Sequence, residues 1–360
     1  MSYPILYDSD ETDFSHNGYG FLSDCALCEV TEEANGQFSM KIQYPIDGIH
    51  FSYIENGRIV KATLERNRDP QLFRIYSISK PMSKIITILA NHISYDLSGV
   101  PVSPFSATNA KDALSGLKTN AASNCPFDFW TDREVDRDFL VSVPSSIRSK
   151  LGGSKDSILE TFGGEYEFDN FTVKLYNNRG QDRGVSIRYG KNLLDINQEE
   201  NISSLVTGVY PYWADSNKEN IVELPEKVLA VQGNHGFAKI VPLDLSGSFK
   251  ERPTESDLRS FAQSYLLENN IGVPVVSLSV SFAQIHQSGE YKHLNLFERV
   301  SLFDTITVDF PLMNVSTKAK VVKIVFDVLL DRVKYAFVGS VKETIADTAA
   351  KLQIAQNKKE

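Results

Sequence analysis

Hydrophobic and polar positions change rhythm along the chain. Before residue 98 the apolar runs are short and strand-like. Residues 23–33 and 37–44 flank Asn35-Gly36. This pair predicts a type I′ hairpin, because both central positions of that turn need φ above zero. Residues 57–62, 71–78 and 84–90 read as three more strands. Short strands at such spacing predict a barrel or a sandwich. Beyond residue 98, Ala110, Ala113, Leu114 and Leu117 recur at helical spacing, with Thr108 or Asn109 as the cap. A short helix is expected over 154–162, capped by Ser154 and stopped by Gly163-Gly164. Tyr166 and Phe168 lead into Asp169-Asn170, and Phe171, Val173 and Leu175 lead away, a second tight hairpin. Residues 185–189 follow as a strand.

After residue 192 strands dominate again, at 204–210 and at 221–224, which Pro225 ends. The clearest helix is 254–269. Thr254 caps it, Asp257 lies in its first turn, and Leu258, Phe261, Ala262, Tyr265 and Leu266 form one stripe. Val276, Leu278, Val280 and Phe282 alternate as in a half-buried strand. Residues 300–310, 318–326 and 333–339 are β-rich, and 343–357 is helical. In that last stretch Ile345, Ala349 and Leu352 have the spacing of a short coiled-coil seam.

Length and composition add bounds. At about 150 residues per domain, 360 residues give two to four units. Hydrophobic and charged fractions of 42% and 23% are those of a globular protein, which excludes wholesale disorder or a coiled-coil rod. The 21 Phe and 15 Tyr lean toward strands. A formal charge of −9 argues against a basic footprint for nucleic acid and against an anionic membrane surface. No apolar run is long enough to span a bilayer, and the first residues lack the pattern of a signal peptide. Three cysteines are too few and too odd in number for a disulfide framework, so folding in a reducing cytoplasm is expected.

Candidate chemistry is sparse. Cys25 and Cys28 form a C-x-x-C inside a strand-like run, where i and i+3 point to opposite faces, so two small apolar side chains in a barrel wall are expected. Cys125 lacks the context of a papain-type nucleophile, and the six histidines form no H-E-x-x-H. Gly184 and Gly190-Lys191 imitate a phosphate loop but have the wrong spacing and lack the hydroxyl ligand for Mg²⁺. Asp8, Asp10 and Asp13 lack the glycine and the bidentate glutamate of a calcium loop. Glu165 and Glu167 share a strand face, as solvated carboxylates commonly do. No cofactor or metal site is expected. The polar loop 177–184, with Arg179, Gln181, Asp182 and Arg183, reads either as a long hairpin tip or as a contact loop at a protein interface. Trp130 and Trp213 read as core or interface anchors before sugar platforms.

One stretch is distinctive: Leu151-Gly152-Gly153-Ser154, Phe162-Gly163-Gly164-Glu165, Phe168-Asp169-Asn170-Phe171, Arg179-Gly180-Gln181-Asp182-Arg183-Gly184, Tyr189-Gly190-Lys191-Asn192-Leu193 and Tyr210-Pro211-Tyr212. It resembles the prophage tail endopeptidase family, the N-terminal module of tail-associated lysins. Supporting motifs are Glu29-Val30-Thr31-Glu32-Glu33-Ala34-Asn35-Gly36, Pro45-Ile46-Asp47-Gly48, Gln71-Leu72-Phe73-Arg74-Ile75 and His92-Ile93-Ser94-Tyr95-Asp96-Leu97. Asp304-Thr305-Ile306-Thr307-Val308 and Val338-Gly339 extend the resemblance to about residues 3–340.

The resemblance implies a baseplate hub like those of contractile tails and type VI spikes. The expected fold is a β-rich, multidomain α+β chain with two β-barrel hub domains, a mixed α/β domain between them and a helical insertion. The expected boundaries are 1–97 and 197–240 with 276–340 for the barrels, 98–196 for the mixed domain, 241–275 for the insertion and 341–360 for a neck helix. Three chains would form a pseudo-sixfold ring at the virion tail tip, assembled in the host cytoplasm and opening to eject DNA. Acidic charge suits such a channel. Expected partners are two further copies, the distal tail protein, the tape-measure protein, a fibre or receptor-binding protein and the host cell wall. The neck seam falls to Ile345, Ala349 and Leu352. Two alternatives differ in class: a peptidoglycan endopeptidase using Cys125 with a histidine, and a wall-carbohydrate module with platforms near Trp130 or Trp213.

Overall fold

A computed structural model describes residues 3–64, 68–154, 156–188, 193–201, 205–215, 217, 219–231, 236–249, 251–268, 271, 275–282, 300–313 and 315–339. The expected neck helix, with Ile345, Ala349 and Leu352, lies outside them. In chain order the first strands are β1 (Ile5–Tyr7), β2 (Gly20–Phe21), β3 (Leu27–Glu33), β4 (Phe38–Pro45), β5 (Ile59–Ala62), β6 (Gln71–Ser79) and β7 (Ile85–His92). The middle holds β8 (Pro101–Val102), β9 (Phe105–Asn109), α1 (Ala110–Thr119), β10 (Asp128–Thr131), β11 (Asp136–Val141), β12 (Ser145–Ser146), α2 (Ile147–Leu151) and α3 (Ile158–Phe162). It continues with β13 (Glu165–Asp169), β14 (Thr172–Tyr176), β15 (Asp182–Arg188) and β16 (Leu193–Asn201). Then come β17 (Gly208–Ala214), β18 (Ile221–Glu223), β19 (Leu229–Ala230), β20 (Ile240–Asp244), α4 (Glu255–Glu268), β21 (Val275–Phe282), β22 (Thr305–Phe310), β23 (Val315–Asp327) and β24 (Arg332–Gly339).

The described residues pack as two compact units, one within 1–196 and 279–338, the other within 197–278 together with Gly339. In the first, a large sheet runs in the order β24-β23-β3-β4-β7-β6-β5-β1-β2, with β22 on β23 and β15 on β22. Period-two patterning builds its core. Phe38, Met40, Ile42 and Tyr44 of β4 are buried beside Ile86, Ile88 and Ala90 of β7. The N-terminal hairpin and the C-terminal strands share this sheet, because β3 pairs with β4 on one side and β23 on the other; Val30 faces both Met40 and Phe326. Among the described residues the chain is β-rich with several sheets, none of which closes into a barrel.

The Asn35-Gly36 hairpin forms, but not as a two-residue type I′ turn. Glu33 N donates to Gln37 O, which leaves three residues in the loop, and Asn35 alone takes the left-handed conformation, at φ 53°. Helix α1 matches its pattern, with the Asn109 side chain accepting from Asp112 N at 2.8 Å. Helix α3 starts later than expected and is capped by Ser157 instead of Ser154. Helix α2 has too short an apolar period to be read from sequence.

In the second unit β17 pairs with β18, β19 and β20. Leu258, Ala262 and Leu266 of α4 pack with Val209, Trp213, Leu243 and Leu245. Thr254 and Asp257 cap the helix reciprocally, backbone to side chain, at 3.2 Å each. Phe261, assigned to the buried stripe, is instead 39% exposed, with its ring 5.3 Å from that of Phe249.

Candidate functional site

The densest chemistry of the first unit is an ionic junction assembled from five stretches of chain. Glu32 on β3 receives Arg68 Nη1 at 2.7 Å and Arg179 Nη1 at 3.2 Å. Burial pushes the Glu32 carboxyl up, but the two guanidiniums outweigh it and hold the group down at about 2. Arg68 also donates to Phe168 O at 3.0 Å, and Arg179 to Tyr166 O at 3.0 Å, which ties both to β13. The Arg179 backbone N–H donates to Glu165 Oε2 at 2.7 Å. Lys320 on β23 reaches the other Glu165 oxygen.

The loop after β14 lies against the turn before β22. Gly180 is required there by space: a Cβ would sit 1.9 Å from Phe303 O. Phe303 itself holds φ at 70°, and its ring lies 5.6 Å from the Arg179 guanidinium. Asp304 accepts from Gln181 N and Ser301 N at 2.9 Å each, and Thr305 N donates back to Gln181 O at 3.0 Å. Asp182 pairs with Lys318 at 2.9 Å, and Arg183 Nε lies 3.6 Å from Asp304 Oδ2. The four flagged loop residues are thus brought together. Arg179 is largely buried within the chain, Arg183 is half-buried, and the side chains of Gln181 and Asp182 are exposed. Glu32, Arg68, Glu167, Tyr176, Arg179, Arg183 and Asp304 line a cavity of about 300 Å³ with Val30, Leu64, Ile324 and Phe326.

A second polar network docks the Phe168-Asp169-Asn170-Phe171 turn onto β6. His92 is fully buried, with Nδ1 3.0 Å from Ser94 Oγ and Nε2 3.1 Å from Gln71 Oε1. Gln71 donates to Asp169 Oδ1 at 3.0 Å and accepts from Asn170 N at 3.1 Å. Asn170 Oδ1 accepts from Leu72 N at 3.0 Å. The imidazole stacks on Phe38 at 4.3 Å, and burial foremost holds its pKa well below the ordinary histidine value. One sequence signal was available: His92 continues the buried series Ile86, Ile88, Ala90 at spacing two.

The C-x-x-C differs from expectation. The strand starts only at Leu27, so Cys25 lies in the preceding turn, not on a strand opposite Cys28. Both thiols are buried and interact. A hydrogen bond with Cys28 chiefly lowers the Cys25 pKa, and burial raises that of Cys28. Among the described residues no three His, Cys, Asp or Glu side chains are grouped to hold a metal ion. Trp213 is buried in the second unit's core, whereas Trp130 is 46% exposed, with its ring 5.0 Å from Tyr176.

No family model matches this chain, and no curated protein sequence matches it. Solved structures do. Prophage tail protein gp18 from Listeria monocytogenes EGD-e is similar at 14% identity and a TM-score of 0.60, with 99% of each chain covered. The 43 kDa tail protein of prophage MuSo2 from Shewanella oneidensis is similar at 10% identity and a TM-score of 0.57, over 93% of this chain and 97% of that one. A tail protein from Neisseria meningitidis MC58 is similar at 8% identity and a TM-score of 0.54, over 96% and 98%. The chain has the fold of these prophage tail proteins.

Proposed function

We propose that this protein is a structural hub of a phage tail tip. Three copies form a ring that closes the tail tube, adapts its sixfold symmetry to a threefold tip and opens for DNA ejection. In this reading the two β-rich regions at 1–97 and at 197–240 with 276–340 are the ring-forming domains. The distal tail protein and the tape-measure end are its neighbours, and residues 341–360 start a neck toward a fibre. The observation that supports the reading is the fold shared with three prophage tail proteins over at least 93% of this chain.

Mass by light scattering across a concentration series, paired with a peptidoglycan-release assay on the same sample, tests it. A species of three times 40.3 kDa without release is the expected result. Release by the purified protein would overturn the structural reading in favour of an endopeptidase. A wall-carbohydrate role has one observation in its favour, the exposed Trp130 ring beside Tyr176. Glycan binding lost in Trp130→Ala would support that second reading.

A further inference from the structure

The cavity at the ionic junction has an unused set of donors. Its charged lining is balanced, with Arg68, Arg179 and Arg183 against Glu32, Glu167 and Asp304. The carboxylates are engaged. Glu32 lies between two arginines, Glu167 accepts from Tyr176 Oη at 3.0 Å and pairs with Lys174 at 3.4 Å, and Asp304 accepts two backbone N–H groups. Arg179 is consumed by Glu32 and Tyr166 O. Arg183 is different. Among the described residues its one partner is Asp304, through Nε at 3.6 Å, too long for a hydrogen bond, and Nε itself is buried and unsatisfied. A guanidinium carries five N–H donors in a planar fork suited to a carboxylate. Beside it the wall turns apolar, at Val30, Leu64, Ile324 and Phe326. A cavity of about 300 Å³ is at the small end of ligand sites.

We propose that this cavity is a binding site for a small carboxylate with a short aliphatic tail, its carboxylate on Arg183 and its tail against Val30, Leu64, Ile324 and Phe326. Two sources share that chemistry, a free short-chain acid and a glutamate side chain presented by a neighbouring protein. The inference does not rest on the hub reading, since a monomer in solution presents the same cavity.

Methyl-labelled full-length protein titrated with pentanoate tests it. Saturable shifts at Val30, Leu64 and Ile324 are expected, and pentanamide, the neutral isostere, should bind at least about tenfold more weakly, because charge-assisted hydrogen bonds to a carboxylate are the stronger ones. Arg183→Gln should weaken pentanoate by about tenfold or more, and Arg183→Lys, which keeps the charge without the fork, by less. Unchanged methyl shifts elsewhere in each variant establish that it is folded. A doubly capped glutamate peptide that saturates the same methyls below the pentanoate concentration assigns the site to a partner's side chain. A peptide that leaves them unmoved while pentanoate binds assigns it to a free acid. Equal binding of pentanoate and pentanamide, no saturable shift with either, or full affinity in folded Arg183→Gln overturns the proposal.

Discussion

Glu32 and Arg179, 147 residues apart in sequence, meet with Nη1 3.2 Å from Oε1, and both side chains are 13% exposed. The contact joins the N-terminal hairpin to the loop after β14, and Arg68 completes it from a third stretch of chain. A carboxylate this buried is stable as an anion only while both cations stay in place.

Removing one partner should therefore cost more than removing a surface charge. Arg179→Ala leaves Glu32 with one guanidinium and is expected to destabilise the first unit by about 3 kcal/mol. Glu32→Gln, which keeps the volume, should cost a similar amount because two guanidiniums lose their anion. Urea unfolding monitored at first-unit residues checks both, and an effect below about 1 kcal/mol would mean that the junction behaves as a surface pair.

The same carboxylate gives a pH dependence. Its folded pKa, about 2, lies below the ordinary 4.5. Its contribution is thus present in full above pH 4.5 and is lost as pH falls from there toward 2. The shift corresponds to about 3 kcal/mol at most. Wild type should lose this stability between those pH values, and Glu32→Gln should show a flatter profile over the same range.

His92 acts at higher pH. Its pKa is lowered in the folded state, so folding favours the neutral ring, and stability falls as pH drops below the ordinary 6.5. The slope is up to about 1.4 kcal/mol per pH unit. His92→Phe should abolish the slope between pH 6.5 and 5 while costing about 2 kcal/mol at neutral pH, since Gln71 and Ser94 lose a buried partner. Denaturation curves at several pH values separate the two effects.

Gly180 is fixed by space and not by φ. Gly180→Ala places a methyl against the Phe303 carbonyl, which is backbone and does not yield, so a loss of about 3 kcal/mol is expected. Gly184, at φ 72° with nothing near its missing Cβ, should lose only about 1 kcal/mol as Ala. Equal losses at the two positions in thermal unfolding would contradict this account.

Asn35 combines two jobs. It holds φ at 53°, and its side chain donates to Gly164 O at 3.0 Å and accepts from Tyr166 N at 2.8 Å. Asn35→Gly keeps the backbone and loses the bonds, for about 1 to 2 kcal/mol. Asn35→Ala loses both and should cost about 1 kcal/mol more. A ranking in which Ala is the milder change would show that the backbone term is absent.

How much of this was legible follows from range. Helices α1 and α4 came from apolar spacing within about ten residues, and the hairpins at Asn35 and Asn170 from turn chemistry within four. The Leu151–Trp213 motifs pointed to a phage tail module, and the fold agrees with tail proteins. Local errors have local causes. Ser157 outcompetes Ser154 as a cap, and a bend at Ala26 removes Cys25 from its strand. Strand spacing left a barrel or a sandwich open and the resemblance implied two barrels; among the described residues no sheet closes into a barrel, because spacing records strand length and not which strands pair.

The sequence by itself determined the β-rich class, the lack of an apolar run long enough to cross a membrane as a helix, and the loop holding Arg179, Gln181, Asp182 and Arg183 as a place of interest. Only the tertiary structure decided that β3 joins β23, that Glu32 accepts two arginines and that His92 is a buried bridge. Period and turn signals act between neighbours in sequence. Ion pairs and buried hydrogen bonds act between neighbours in space, and nothing in Thr31-Glu32-Glu33 marks which glutamate will meet a guanidinium until the sheet has closed around it.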